Sequence, residues 1–213
     1  MNVENNKLCS TYRKVQLLQQ HMMAACPGPQ EPTLRIMDLR WAIQDMYALK
    51  IDMFEVSFAG TYLKGKVERY ANNSARVLVR ASLSDVEKRS TAVKELCHLV
   101  IDEKEDWSPL GVNTINEVIT DASMFAADGI GHTNPSAPLV SEALAILASS
   151  ELMYPGEYHA ADQTKLDQQQ TTLSAIALQH EVPGYLIQHA FTNRPLRDRV
   201  YAQIAAEVSS KAA

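Results

Sequence analysis

Lys94-Glu95-Leu96-Cys97-His98 differs by one residue from H-E-x-x-H, a helical pattern in which two imidazoles at i and i+4 grip a metal ion. In the intact pattern the glutamate beside the first histidine is the general base on the metal-bound water. Here Glu95 and His98 are present, and lysine stands at the first ligand position. Cys97 beside His98 has the residue types of a thiol–imidazole dyad. Adjacent helical residues point about 100° apart, however, so a buried structural thiol is the expected reading.

The chemistry needs a helix under it. Ser84-Asp85-Val86-Glu87 has the form of a capping box and predicts a helix start. Val86, Val93, Leu96 and Val100 then recur at helical spacing, which predicts a buried stripe, and Lys94 and His98 fall on a common face. Just upstream, Val77 and Val79 alternate with Arg76, Leu78 and Arg80, as in a strand. Strand, short turn and capped helix is the order a metallopeptidase site uses.

The chain has 213 residues, 46% of them hydrophobic, enough to bury a core. A net charge of −5 argues against general binding of nucleic acid. Cys9, Cys26 and Cys97 are an odd number at irregular spacing and point to reduced thiols in a cytoplasmic protein. No run reaches the roughly 18 apolar residues of a membrane span, and residues 1–7 are polar with no signal-like core, so no membrane partner is expected.

Before the motif, residues 11–25 read as a helix facing inward through Val15, Leu18, Met22 and Ala25, closed by Pro27-Gly28-Pro29. A second helix from about Pro32-Thr33 turns Ile36, Leu39, Ile43, Met46 and Tyr47 inward. The period then falls to two. Phe54, Val56 and Phe58 alternate with Glu55 and Ser57, residues 63–70 form a second strand, and the strand ending near Arg80 completes an expected antiparallel meander.

After the motif, Trp107-Ser108-Pro109-Leu110-Gly111 breaks the chain. Thr114-x-x-Glu117 then caps a helix with Ile115, Val118, Ala122 and Phe125 inward, and residues 128–138 read as a loop carrying a solvent-facing His132. Residues 139–153 are Ala-rich and apolar almost all round, so that helix is expected to be buried and Glu142 to need a partner or a cleft. Tyr154-Pro155-Gly156 ends it. Residues 171–208 read as short helices broken at Val182-Pro183-Gly184 and Asn193-Arg194-Pro195. Ile176-Ala177, Val182 and Leu186-Ile187 have helix-turn-helix spacing, with Arg194, Arg197 and Arg199 after them, although Glu181 stands where a turn glycine is common.

Strands, then K-E-L-C-H-L-V, then Glu142-x-x-Ala145-x-x-Ala148-x-x-x-Leu152-Met153-x-Pro155 resembles the ImmA/IrrE family of zinc-peptidase-like proteins, with Ala148 where an aromatic is usual. Leu173-Ser174-Ala175-Ile176-Ala177 and Glu181-Val182-Pro183 echo the family's next short helices, and the resemblance covers about residues 35–195. It implies an α+β, zincin-like fold: a small antiparallel three-stranded sheet flanked by helices, with a helical C-terminal part. The implied division is an N-terminal helix at 1–30, the zincin-like domain at 31–165 and a C-terminal helical segment packed on the core at 166–213.

By the resemblance, His98 and Glu142 correspond to metal ligands and Glu95 to the general base, all vestigial here. Lys94 is the departure: its ammonium repels a metal ion and removes one of three ligands, but can lie between Glu95 and Glu142 as a fixed positive charge in the metal's place. Expected cofactors are therefore none, with zinc only if the site still works. A neutral Lys94 acting as base, or a Lys94 pointing to solvent, are the alternatives. The implied partner is a protein, a helix-turn-helix repressor of phage, mobile-element or stress genes. Three functions follow: a non-catalytic regulator that binds such a repressor, a metallopeptidase with an unusual metal site that cleaves it, or a DNA-binding regulator through the C-terminal helix-turn-helix.

Overall fold

The computed structural model describes residues 5–25, 33–60, 62–103 and 137–212. Helix α1 (Asn5–Ala25) turns Leu8, Tyr12, Val15 and Leu18 into the core at helical spacing. It starts ahead of the expected residue 11, and Ala25 is exposed. Helix α2 (Ile36–Tyr47) buries Leu39, Ala42 and Ile43 and ends at Ala48, whose left-handed φ of 49° turns the chain toward the sheet. Tyr47, expected inside, is exposed on its last turn.

Strands β1 (Lys50–Val56), β2 (Gly65–Tyr70) and β3 (Ser74–Arg80) form a three-stranded sheet in the order β1-β3-β2. β1 runs parallel to β3, and β2 pairs antiparallel to β3. The sheet is thus mixed, and the expected antiparallel meander is corrected. The strand with the most deeply buried face, through Ala75, Val77 and Val79, takes the centre, where both its edges are paired. Charged β2, with Lys66, Glu68 and Arg69, is left at an edge, where exposed backbone is best tolerated.

The inward face of β1 is also the reverse of the expected one. Ile51 is fully buried and Met53 packs on the core, whereas Phe54 is 48% exposed. The register explains it: Ile51 lies opposite Ala75 and Met53 opposite Val77, in phase with the buried face of β3. A phase difference of one residue moves every side chain to the other face.

Helix α3 (Asp85–Ile101) follows β3 after a four-residue turn, residues 81–84. Ser84 caps it by accepting from the Glu87 N–H, while the Glu87 carboxylate pairs with Lys64 at 3.1 Å. Val86 lies on the exposed first turn and is not part of the buried stripe. From Ser90 to Ile101 the helix is buried on nearly every side, between the sheet, α2 and helix α4 (Ala137–Met153). From Leu139 onward α4 is itself buried almost all round, with Ile146 the exposed exception. The break at 107–111, the helix at 114–125, His132, Pro27-Gly28-Pro29 and Cys26 lie outside the described residues, as does the expected 128–138 loop up to residue 136.

Pro155 ends α4 and at once precedes helix α5 (Gly156–Asp167), where its fixed φ suits a helix entrance. Helix α6 (Leu173–Gln179) is capped by Thr172, and a turn through Glu181, at φ 52°, leads into helix α7 (Gly184–Ala212). The expected break at 193–195 is absent: Pro195 sits inside the 29-residue α7. Leu186, Ile187 and Ala190 before it and Val200 and Ile204 after it are all buried, so core packing on both sides outweighs the helix bond that proline removes.

α7 runs back across α4 to α1, and residues of α1 and α7 belong to the same apolar core as the sheet and α3. It is locked there by Arg197, whose guanidinium grips Glu151 of α4 through two bonds of 2.7 and 3.0 Å. The Tyr201 hydroxyl and the Gly156 N–H also donate to Glu151 Oε1, at 3.2 and 3.3 Å. A Cβ at Gly156 would stand 1.8 Å from the Arg197 guanidinium carbon, so any larger residue there would have to displace the guanidinium.

Candidate functional site

Lys94, Glu95 and His98 lie on the buried half of α3, and Ser141 and Glu142 on the facing turn of α4. Glu142 is 48 residues from Lys94 in sequence, yet its Oε2 accepts a hydrogen bond from Lys94 Nζ at 2.7 Å. The same ammonium is 3.1 Å from Glu95 Oε1, a charge contact without hydrogen-bond alignment. On the other side, His98 Nε2 is 3.3 Å from Glu142 Oε1, again off the hydrogen-bond axis. The four residues singled out in the sequence therefore meet at one place. Glu95 is almost fully covered (4% exposed), Lys94 and Glu142 keep 23% and 33%, so the cluster has one side open to solvent.

Two further members carried no motif. Asp102, just past the end of α3, sits 3.0 Å from His98 Nδ1, and Ser141 Oγ donates to Asp102 Oδ1 at 2.7 Å. Ser141 Oγ is also 3.1 Å from His98 Nδ1. Serine, histidine and aspartate invite a hydrolase reading, but both partners here occupy the same ring nitrogen. Nε2, which would have to take the proton of a nucleophile, faces Glu142, so no triad is formed.

β2 closes the cluster from the sheet side. A Cβ at Gly65 would stand 2.4 Å from Thr91 Cγ2 and 2.8 Å from Glu95 Oε1, so the strand backbone rests against this face of α3. Gly65→Ala should push β2 off α3 at Glu95 and cost roughly 1–3 kcal/mol, the usual penalty of an overpacked contact. Urea unfolding of the variant beside Gly60→Ala, where nothing lies near but the φ of 71° strains any side chain, separates a contact effect from a backbone one.

Burial by itself would depress the Lys94 pKa, but Glu95 and Glu142 outweigh it and hold the ammonium protonated well above its usual range. A neutral lysine base is therefore not what this site contains. For Glu142, burial works to raise the pKa, and Lys94 with His98 overrides it, leaving the carboxyl far below the ordinary carboxylate range. Burial pushes the Cys97 thiol far up, which removes any thiolate–imidazole dyad.

His98 is opposed by burial and supported by Asp102 and Glu142, with the net result a rise to about 9. The group gains protons on folding, so its stabilisation is complete below its unfolded pKa near 6.5 and disappears as pH rises through about 9. Unfolding free energy should fall by about 3 kcal/mol across that window and far less in His98→Gln. Urea titrations of both proteins at stepped pH read the difference.

Zinc, which the resemblance implies, can be tested against these residues. His98 has only the orientation of a metal ligand, with Nδ1 on a carboxylate and a buried Nε2 free of hydrogen bonds, because the protonated ring has no lone pair to give an ion. The rest does not fit. The Lys94 ammonium fills the space between Glu95 and Glu142, and among the described residues no three His, Cys, Asp or Glu side chains are arranged to hold an ion.

Fold and site define a mixed α+β chain in which two buried helices share a charged cluster beneath a small sheet. No family model, no curated protein and no solved structure matches it. Among the described residues no helix is long and apolar enough to cross a membrane.

Proposed function

We propose that this chain is a non-catalytic, zincin-like regulator of ImmA/IrrE type that acts by binding a partner protein, a helix-turn-helix repressor of phage, mobile-element or stress genes, in the cytoplasm. The observation that carries the reading is the Lys94 ammonium between two carboxylates, 3.1 Å from Glu95 and 2.7 Å from Glu142. A general base for peptide hydrolysis needs a free carboxylate beside a metal-bound water. Glu95 is instead buried against Lys94 and the start of β2. The positive charge of Lys94 ties α3 to α4 as a metal bridging His98 and Glu142 would, which preserves the fold and a binding surface without the reaction.

The DNA-binding reading has one observation in its favour, the α6-turn-α7 geometry with Glu181 in the left-handed region. Of its three cations Arg199 is exposed, and the other two have acidic neighbours. Arg197 grips Glu151, and Arg194 lies 3.7 Å from Asp198. The exposed first turns of α7 offer Tyr185 and Gln188 and no cation to meet a phosphate.

Purified without chelators, the protein should carry well under one zinc per chain. Mixed with a helix-turn-helix repressor encoded beside its own gene, it should form a complex in which the repressor stays intact. Cleavage of the repressor that is lost in Glu95→Gln would overturn the reading in favour of a working peptidase.

A further inference from the structure

The sheet has two outer edges, and they are not alike. β2 closes one with Lys66, Glu68 and Arg69, while β1 forms the other with no proline and no cation between Ile51 and Glu55. In a parallel pair the N–H and C=O of one residue point to the same side, and the side alternates along the strand. The Lys50 N–H donates to the Asn73 carbonyl and the Val56 carbonyl accepts from the Ala81 N–H, so the even-numbered residues of β1 face β3. Ile51, Met53 and Glu55 therefore turn their backbone groups outward. The Ile51 N–H is met by Gln44 Oε1 at 2.9 Å. Among the described residues nothing meets the N–H and C=O groups of Met53 and Glu55. Such a row is a template for another strand.

Phe54 indicates which strand. It stands between those two residues, on the sheet face away from α3, and is 48% exposed. Suppose β1 meets β1 of a second copy, antiparallel, across a twofold axis at Phe54. Met53 then lies opposite Glu55 of the copy, and the two exchange all their open backbone groups. The capped Ile51 falls opposite Ser57, beyond the end of the strand, so Gln44 takes nothing from the ladder. The two Phe54 rings become a directly opposite pair of the non-hydrogen-bonded kind, in which side chains come closest. Like charges do not meet: Asp52 lies opposite Val56, and the Glu55 carboxylate is held by Lys88 of α3 at 2.7 Å. An axis at Asp52 would oppose two carboxylates. An axis at Met53 would set the Glu55 carbonyl against the Ile51 N–H that Gln44 already holds.

We propose that β1 is the contact edge of a twofold dimer, β1 against β1 and centred on Phe54, which joins two three-stranded sheets into one. A ladder this short is small beside the ~1,600 Å² of a standard interface. Met37 and Trp41, 61% and 44% exposed, share with Gln44 one stripe of α2 and extend the apolar surface beside the start of the edge. The dimer is independent of the function proposed for the Lys94 cluster.

Sedimentation equilibrium of the full chain across a dilution series should show a mass moving from two chains to one. Phe54→Lys opposes two ammonium groups on the axis and should weaken association by about tenfold or more. Phe54→Cys should form an intermolecular disulfide in oxidised glutathione, because directly opposite residues of this kind have Cα atoms about 4.5 Å apart, within disulfide reach. Asp52→Cys, displaced along the strand from its own copy, should not, and wild type treated alike accounts for the native thiols. Amide exchange at Met53 and Glu55 should slow as the dimer forms. A wild-type mass of one chain at every concentration overturns the proposal, whether or not the variants fold. So does a dimer indifferent to Phe54→Lys, or one cross-linked through Asp52→Cys as readily as through Phe54→Cys. Slow exchange at Met53 and Glu55 in the dilute monomer overturns it as well, because the edge is then covered by the chain itself.

Discussion

Arg197→Met should lower the unfolding free energy by ~3–5 kcal/mol, the usual cost of breaking a buried ion pair by removing one partner. Glu151 is the reason. Its side chain is 5% exposed, and both of its oxygens are held by the guanidinium. Methionine fills a similar volume, so the loss reports the uncompensated carboxylate and the forfeited bidentate bonds, with little cavity effect. For a chain of this size the melting temperature should drop by on the order of 10 °C. Arg197→Lys keeps the charge but not the fork, and should fall between the two. Calorimetric melts of the three proteins give the order, and an Arg197→Met melt within a degree of wild type would show that α7 is held by apolar packing alone.

Lys94→Met should cost ~2–4 kcal/mol, somewhat less because Lys94 and Glu142 retain solvent contact. It has a second signature in pH. Glu142 is held far below the ordinary carboxylate range first by Lys94 and then by His98. A depressed carboxyl contributes stability that is present above its unfolded pKa and is lost as pH falls through the folded one. Without Lys94 much of that contribution is gone, so the stability profile of the variant should flatten between neutral and acid pH. A partial recovery in Lys94→Met/Glu142→Gln would assign the loss to the stranded carboxylate. Equal stability of wild type and Lys94→Met at every pH would make the lysine incidental.

Local signals carried most of the elements, because caps and apolar spacing act within a few residues. Ser84 starts α3 where its pattern predicts, and the uncharged run of α4 is buried as its composition requires. The meeting of Lys94, Glu95 and His98 with Glu142 was readable because a helical i, i+4 spacing and an E-x-x-A pattern each mark one face.

What was not readable depends on contacts between distant segments. Alternation in β1 cannot say which of its two faces is inward, and only pairing with β3 decides for Ile51 over Phe54. Nothing in three consecutive strands states that the third inserts between the others. Pro195 looks like a stop until the burial on both sides of it is known. Asp102 had a faint signal, four residues after His98, whereas Ser141 and the Glu151–Arg197 pair had none, since each is defined by a partner on another helix.

If Lys94 stands where a metal ligand would, Lys94→His reveals it directly. An imidazole at position 94, one turn before His98 and opposite Glu142, would complete two histidines and a carboxylate with Glu95 beside them. Isothermal titration of zinc into this variant should reveal one site, micromolar or tighter, absent from the parent chain and lost in Lys94→His/Glu142→Ala. Saturating zinc should also raise the melting temperature of the variant by mass action. Zinc affinity no greater than that of the parent chain, or affinity indifferent to Glu142, would contradict the reading of this cluster as a metal site whose ion has been replaced by a lysine.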